Sequence, residues 1–119
     1  MVAEVLVIPE MKTLYSAYIS EDQARRIFGT LALAADELPQ HIVQFDWESK
    51  RDLYSVDEWL DIEDKIADWA YEDAEWPENV RYVRFEIEDP RDRRYSIYVE
   101  IGPCKEGKCL LEVYRVRIF

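Results

Sequence analysis

Asparagine and glutamine together supply four of the 119 residues, histidine one and cysteine two, and no apolar run approaches the roughly 20 residues a membrane-spanning helix requires. Each shortage excludes something. The single His41 rules out metal sites and acid–base pairs built on two histidines. Cys104 and Cys109, with no further cysteine and no nearby histidine, do not make a structural zinc site on their own. No serine or cysteine has a spacing to His41 that points to a nucleophile and its base. Repeats, linkers and low-complexity stretches are missing as well, so the chain is expected to be a single domain over 1–119. Near the N-terminus Glu4 stands where a secretory leader would carry basic residues, so the expected location is cytoplasmic, without membrane attachment.

What is present is charge of one sign. Twenty-six acidic side chains against fifteen basic ones give a net charge of −11. The excess is local: residues 1–79 hold nineteen acidic and six basic side chains, residues 80–119 seven and nine. Such a field repels a phosphate backbone, so nucleic acid is an unlikely partner and a basic protein the expected one. Arg outnumbers Lys ten to five, which together with the scarcity of Asn and Gln leans towards a thermophilic source. Hydrophobic residues at 49% and aromatics at 13% are enough to build a core.

The apolar pattern predicts strands over 2–8 and 12–19 and a helix over about 21–37, opened by a capping box between Ser20 and Gln23. Leu33 and Ala34 widen that helix's apolar face. A strand follows at 41–47. Ser55 and Glu58 form a second capping box, and Trp59, Ile62, Ile66, Trp69 and Ala70 give the following helix its apolar stripe from Val56 to about Ala74. Three further strands end the chain: one alternating through Val83, Phe85 and Ile87, one through Tyr95, Ile97, Val99 and Ile101, and one from about Cys109. Gly102–Lys108 is read as the last connection, with Gly107 available for a positive φ. The parity slips in the last strand, which predicts a bulge near Glu112 or a strand covered on both faces. The expected fold is α+β: two helices packed on one face of a mostly antiparallel sheet of about five strands, ending in a C-terminal three-stranded meander.

Four sets of residues are candidates for function. Asp57, Asp61, Asp64, Asp68, Glu72 and Glu75, spaced three or four apart, predict a continuous acidic stripe, similar in kind to the charge rows of nucleic-acid mimics or inhibitors. The same carboxylates do not close a cage for a metal ion from one helix. Tyr82, Arg84, Arg94, Tyr98 and Tyr114, with Glu86 and Glu100 among them, are read as the outward parity of the last strands, a surface of the residue types enriched at interface centres and suited to a protein partner, a second copy of the chain, or single-stranded bases. Asp46, Glu48 and Lys50 follow the carboxylate–carboxylate–lysine order used by some metal-dependent nucleases. A disulfide between Cys104 and Cys109 is geometrically open if their strands face each other. The reading that follows is a small, acidic, non-enzymatic protein-binding module needing no cofactor; a metal-dependent nuclease or phosphate-processing enzyme and a single-stranded nucleic-acid binder are the alternatives.

Overall fold

The alternation of β-branched and aromatic residues with polar ones builds an antiparallel sheet, and the two amphipathic segments cover one side of it. The computed structural model describes residues 11–37, 44–48, 56–78 and 80–118, with side chains for 11–34, 60–78 and 80–118. Its elements are β1 (Met11–Ser20), α1 (Glu21–Glu37), β2 (Gln44–Glu48), α2 (Val56–Tyr71), β3 (Tyr82–Glu88), β4 (Tyr95–Lys105) and β5 (Lys108–Arg117). The sheet order is β1-β5-β4-β3-β2, with every adjacent pair antiparallel. The expected strand at 2–8, His41 and Lys50 lie outside the described residues.

Register explains which side the helices take. Val83 aligns with Ile101 and then Leu111, and Phe85 with Val99 and then Val113, on one face, and Ile19 and Cys109 continue it. Against that face α1 buries Ala24 and Phe28, and α2 buries Ile62, Ile66 and Trp69. Aromatic rings meet edge to face at the centre: Phe28 lies 5.9 Å from Trp69 and 5.5 Å from Phe85, and Trp69 lies 4.9 Å from Trp76. Each such pair adds about 1 kcal/mol to the area its rings bury. Leu33, expected to widen the buried stripe of α1, is 57% exposed, because the stripe is satisfied by Ala24, Ile27, Phe28 and Leu31.

The start of α1 follows its sequence. Gln23 N–H donates to Ser20 Oγ at 3.2 Å while Ser20 N–H donates to Gln23 Oε1 at 3.4 Å, the reciprocal capping box. The end of α2 does not. The helix stops at Tyr71 rather than Ala74: Asp73 takes a φ of 55°, and Ala74 N–H turns back to Asp68 O at 3.2 Å. No basic residue of α2's own last turn faces its carbonyl end. Arg25 of α1 supplies the charge instead, donating from Nε to Trp69 O at 2.8 Å and from Nη2 to Ala74 O at 3.2 Å.

The irregularities also fall elsewhere than expected. β5 pairs with β4 without interruption from Leu111 to Arg117, so there is no bulge at Glu112. The slips are between Thr13 and Tyr15 in β1, and between Ile101 and Cys104 in β4, where Gly102 and Pro103 together stand opposite the single Leu110. β4 therefore runs on to Lys105, and the connection read as Gly102–Lys108 is a two-residue turn in which Glu106 and Gly107 have φ of 55° and 78°. Positive φ at both positions gives the twist that adjoining strands require.

Candidate binding face of the sheet

The residues of opposite parity form the second face of the sheet, and the register arranges them in rows. One row runs Arg84, Glu100, Glu112, Ser16; the next runs Glu86, Tyr98, Tyr114, Thr13; Leu110 pairs with Tyr18 and Val116 with Met11. In β2 the backbone register sets Asp46 opposite Arg84 and Glu48 opposite Tyr82, on this same face. The parity slip noticed in β5 is thus a strand with apolar residues on both faces, Leu111 and Val113 towards the helices, Tyr114 and Val116 away from them.

The aromatic centre of this face is held in place by its neighbours. The Tyr98 and Tyr114 rings lie 5.4 Å apart, and the Arg84 guanidinium sits over Tyr98 at 4.8 Å. Tyr114 Oη donates a hydrogen bond to Glu100, whose carboxylate also lies 3.9 Å from Arg84. Burial, followed by the bond to Glu100, pushes the Tyr114 hydroxyl well above the ordinary tyrosine value. Tyr98 is raised too, first by burial and then by the charge of Glu86. Both phenols are therefore neutral donors throughout the physiological range. Ser96 is buried and donates to Glu86 at 2.9 Å, fixing a second carboxylate of the face.

At the edge of this face the packing loosens. Tyr18 is 71% exposed and Met11 63%, both on β1, an edge strand whose remaining large residues Leu14 and Tyr15 are half exposed. Large apolar side chains at the edge of a sheet face whose centre holds fixed aromatic and arginine groups make a surface suited to a partner rather than to water alone.

The other sequence candidates are placed differently. Arg94 belongs to the β3–β4 turn rather than to the sheet face, its guanidinium 2.7 Å from Asp92 Oδ2. Asp57 lies in the first turn of α2, and Asp61, Asp64 and Asp68 are exposed along that helix, with Lys65 paired to Asp61 at 3.1 Å. Glu72 follows the last helical residue, and Glu75 has left the helix altogether. The continuous six-residue stripe is shortened at its C-terminal end by the left-handed turn at Asp73. Cys104 and Cys109 are bonded to each other, across directly paired positions of β4 and β5.

Sequence reasoning placed Glu86 and Glu100 among the residues of this parity but missed Glu112, and Tyr18 and Met11 as the border of the face. Their parity was readable, but the pairing of β1 with β5, which joins them, rests on contacts about 90 residues apart and has no local signature. No helix among the described residues is long and apolar enough to cross a membrane. No protein-family model, curated protein or solved structure matches the chain.

Proposed function

We propose that this chain is a protein-binding module that engages a basic partner through the open face of its sheet, with Tyr98, Tyr114 and Arg84 as fixed anchors and Tyr18 and Met11 as the adjoining apolar rim. The observation that carries the reading is the support under the anchors: ring contact, guanidinium stacking and the Glu100 hydrogen bond hold them before any partner arrives. Groups already ordered lose little entropy on binding. In the two rows that hold the anchors Glu86, Glu100 and Glu112 outnumber Arg84, and although Lys105, Lys108, Arg115 and Arg117 lie elsewhere on these strands the whole chain carries −11, so the complementary partner presents lysine or arginine. The same charge weighs against single-stranded nucleic acid.

The exposed carboxylates Asp61, Asp64 and Asp68 of α2 favour a second reading, an inhibitor or nucleic-acid mimic docking its helix on a basic groove. The two surfaces are separable. Affinity capture from nuclease-treated lysate, followed by calorimetry with the captured protein, compares Tyr98→Ala plus Tyr18→Ser with Asp64→Lys plus Asp68→Lys. A basic protein whose affinity falls at least a hundredfold with the tyrosine changes, and less than tenfold with the helix changes, supports the sheet face. The opposite order transfers the site to α2, and equal capture by every form overturns both.

A further inference from the structure

At the start of α1 a carboxylate meets both cysteines. Glu21 N–H donates to Gly107 O at 2.9 Å, tying the helix to the tip of the β4–β5 hairpin. One carboxylate oxygen of Glu21 and the sulfurs of Cys104 and Cys109 all lie within 4.8 Å of one another. The carboxylate is oriented from behind: Trp69, fully buried, donates from Nε1 to Glu21 Oε2 at 2.7 Å, and Arg25 Nη2 stands 3.4 Å from the same oxygen. Cys109 is fully buried. Cys104 is half-buried and, with Glu21, Glu75 and Trp76, lines a cleft of about 350 Å³.

With the sulfurs joined, this cluster has no metal-binding capacity. A reducing compartment does not keep such bonds, and there the same three side chains become two thiols beside a fixed carboxylate. Thiolates are soft ligands and select zinc-type cations over magnesium or calcium. Ligand atoms of a tetrahedral zinc ion stand about 3.3–3.8 Å apart, so after reduction the two sulfurs have to part from bonding distance while the Glu21 oxygen, within 4.8 Å of both, closes in. The indole N–H behind Glu21 plays the part of the outer hydrogen bond that aims a metal ligand. The fourth position of a tetrahedral ion is left to water.

We propose that the reduced chain binds one zinc-type divalent cation through Glu21, Cys104 and Cys109, and that formation of the Cys104–Cys109 disulfide expels it. Reduction by a dithiol adds two electrons and two protons to the S–S bond, giving two thiols and the oxidised reductant. Binding of the cation releases those two protons. A small-molecule disulfide then takes the two electrons back and two protons from water, becoming two thiols as the Cys104–Cys109 bond re-forms and the cation leaves. This site lies on the helix side of the sheet and does not depend on the binding face proposed above.

The test uses the full chain, reduced with dithiothreitol, freed of reductant anaerobically and titrated with Co²⁺. Expected are one-to-one uptake, sulfur-to-cobalt charge transfer with tetrahedral d–d bands, displacement by Zn²⁺, and indifference to excess Mg²⁺. The disulfide form should show none of these signals. Cys104→Ser should abolish the charge-transfer band, and Glu21→Gln, which keeps an acceptor for Trp69, should weaken binding at least tenfold. Uptake without sulfur-to-metal absorption, equal uptake by the oxidised chain, unchanged affinity in Glu21→Gln, or loss of the folded circular-dichroism spectrum on reduction would each overturn the proposal. Glu21→Gln leaves both thiols in place, so it decides the case even where a cysteine variant does not fold.

Discussion

Gly102 shows how a single missing side chain can set the geometry of its surroundings. Its φ is +119°, and a Cβ built there would meet Trp76 Cη2 at 2.7 Å and Arg81 O at 2.9 Å. Neither neighbour can retreat easily: Arg81 presents backbone, and Trp76 is pinned by its Nε1 donation to Val80 O at 2.7 Å. Gly102→Ala therefore combines an unfavourable backbone conformation with overpacking, and should destabilise the fold by about 3 kcal/mol or more. Gly107, at φ +78° with nothing within 4 Å of its Cβ position, carries only the backbone part. Gly107→Ala should cost about 1 kcal/mol. Urea denaturation of the two variants checks the contrast, and equal midpoints would refute it. The positive φ of Gly107 was legible from its place among turn-forming residues; that of Gly102 was not, because its cause is an indole 26 positions away. Arg25 was hidden for the same reason. Local spacing reveals its ion pairs with Glu21 and Asp22 but not the carbonyls of α2 that it caps.

Among the elements, those defined by local chemistry were readable and those defined by their partners were not. Ser20 and Gln23 announce α1 because both halves of the capping box lie within one turn. The end of α2 is set instead by Asp73 and by Arg25 from another helix, so apolar spacing alone carried it three residues too far. The β3–β4 turn is a local element with a measurable consequence. Asp89 accepts from Arg91 N–H at 2.9 Å and from Arg115 Nε at 2.9 Å. Asp92 accepts from Arg94 N–H at 3.1 Å and from Arg94 Nη2 at 2.7 Å. The Arg94 guanidinium, then its backbone N–H, hold the Asp92 carboxyl at about 2 rather than the ordinary 3.8. Asp89 is lowered as well, first by the Arg91 N–H, against the opposing effect of burial. In the interval between these values the unfolded chain binds more protons than the folded one, so stability rises with pH. The contribution of Asp92 is complete above about 3.8 and is lost as pH falls towards 2. Asp92→Asn should reduce the slope of the urea midpoint against pH between 4 and 2. An unchanged slope would show that the turn is not held by this charge.

For the whole molecule, the question is what each charged surface can contribute to an encounter. The carboxylates of α2 lie on the helix layer and Tyr98 and Tyr114 on the other side of the sheet, while the total of −11 surrounds both. The charge asymmetry and the α+β class were legible in composition and periodicity; the edge position of β1, which sets Met11 opposite Val116, Thr13 opposite Tyr114 and Tyr18 opposite Leu110, emerges only with the pairing of β1 and β5. A field acts at a distance of about one Debye length, whereas buried anchors act only in contact. The two surfaces should therefore govern different rate constants for one basic partner. Asp64→Lys plus Asp68→Lys should lower the association rate constant several-fold at low salt, with the difference shrinking as ionic strength rises and the dissociation rate nearly unchanged. Tyr98→Ala should raise the dissociation rate at least tenfold and leave association within about a factor of three. Stopped-flow association and dissociation measured across a salt series distinguish the two. If instead the lysine substitutions accelerated dissociation and Tyr98→Ala did not, the helix would be the contact surface, and the ordered tyrosines would serve the sheet's own stability.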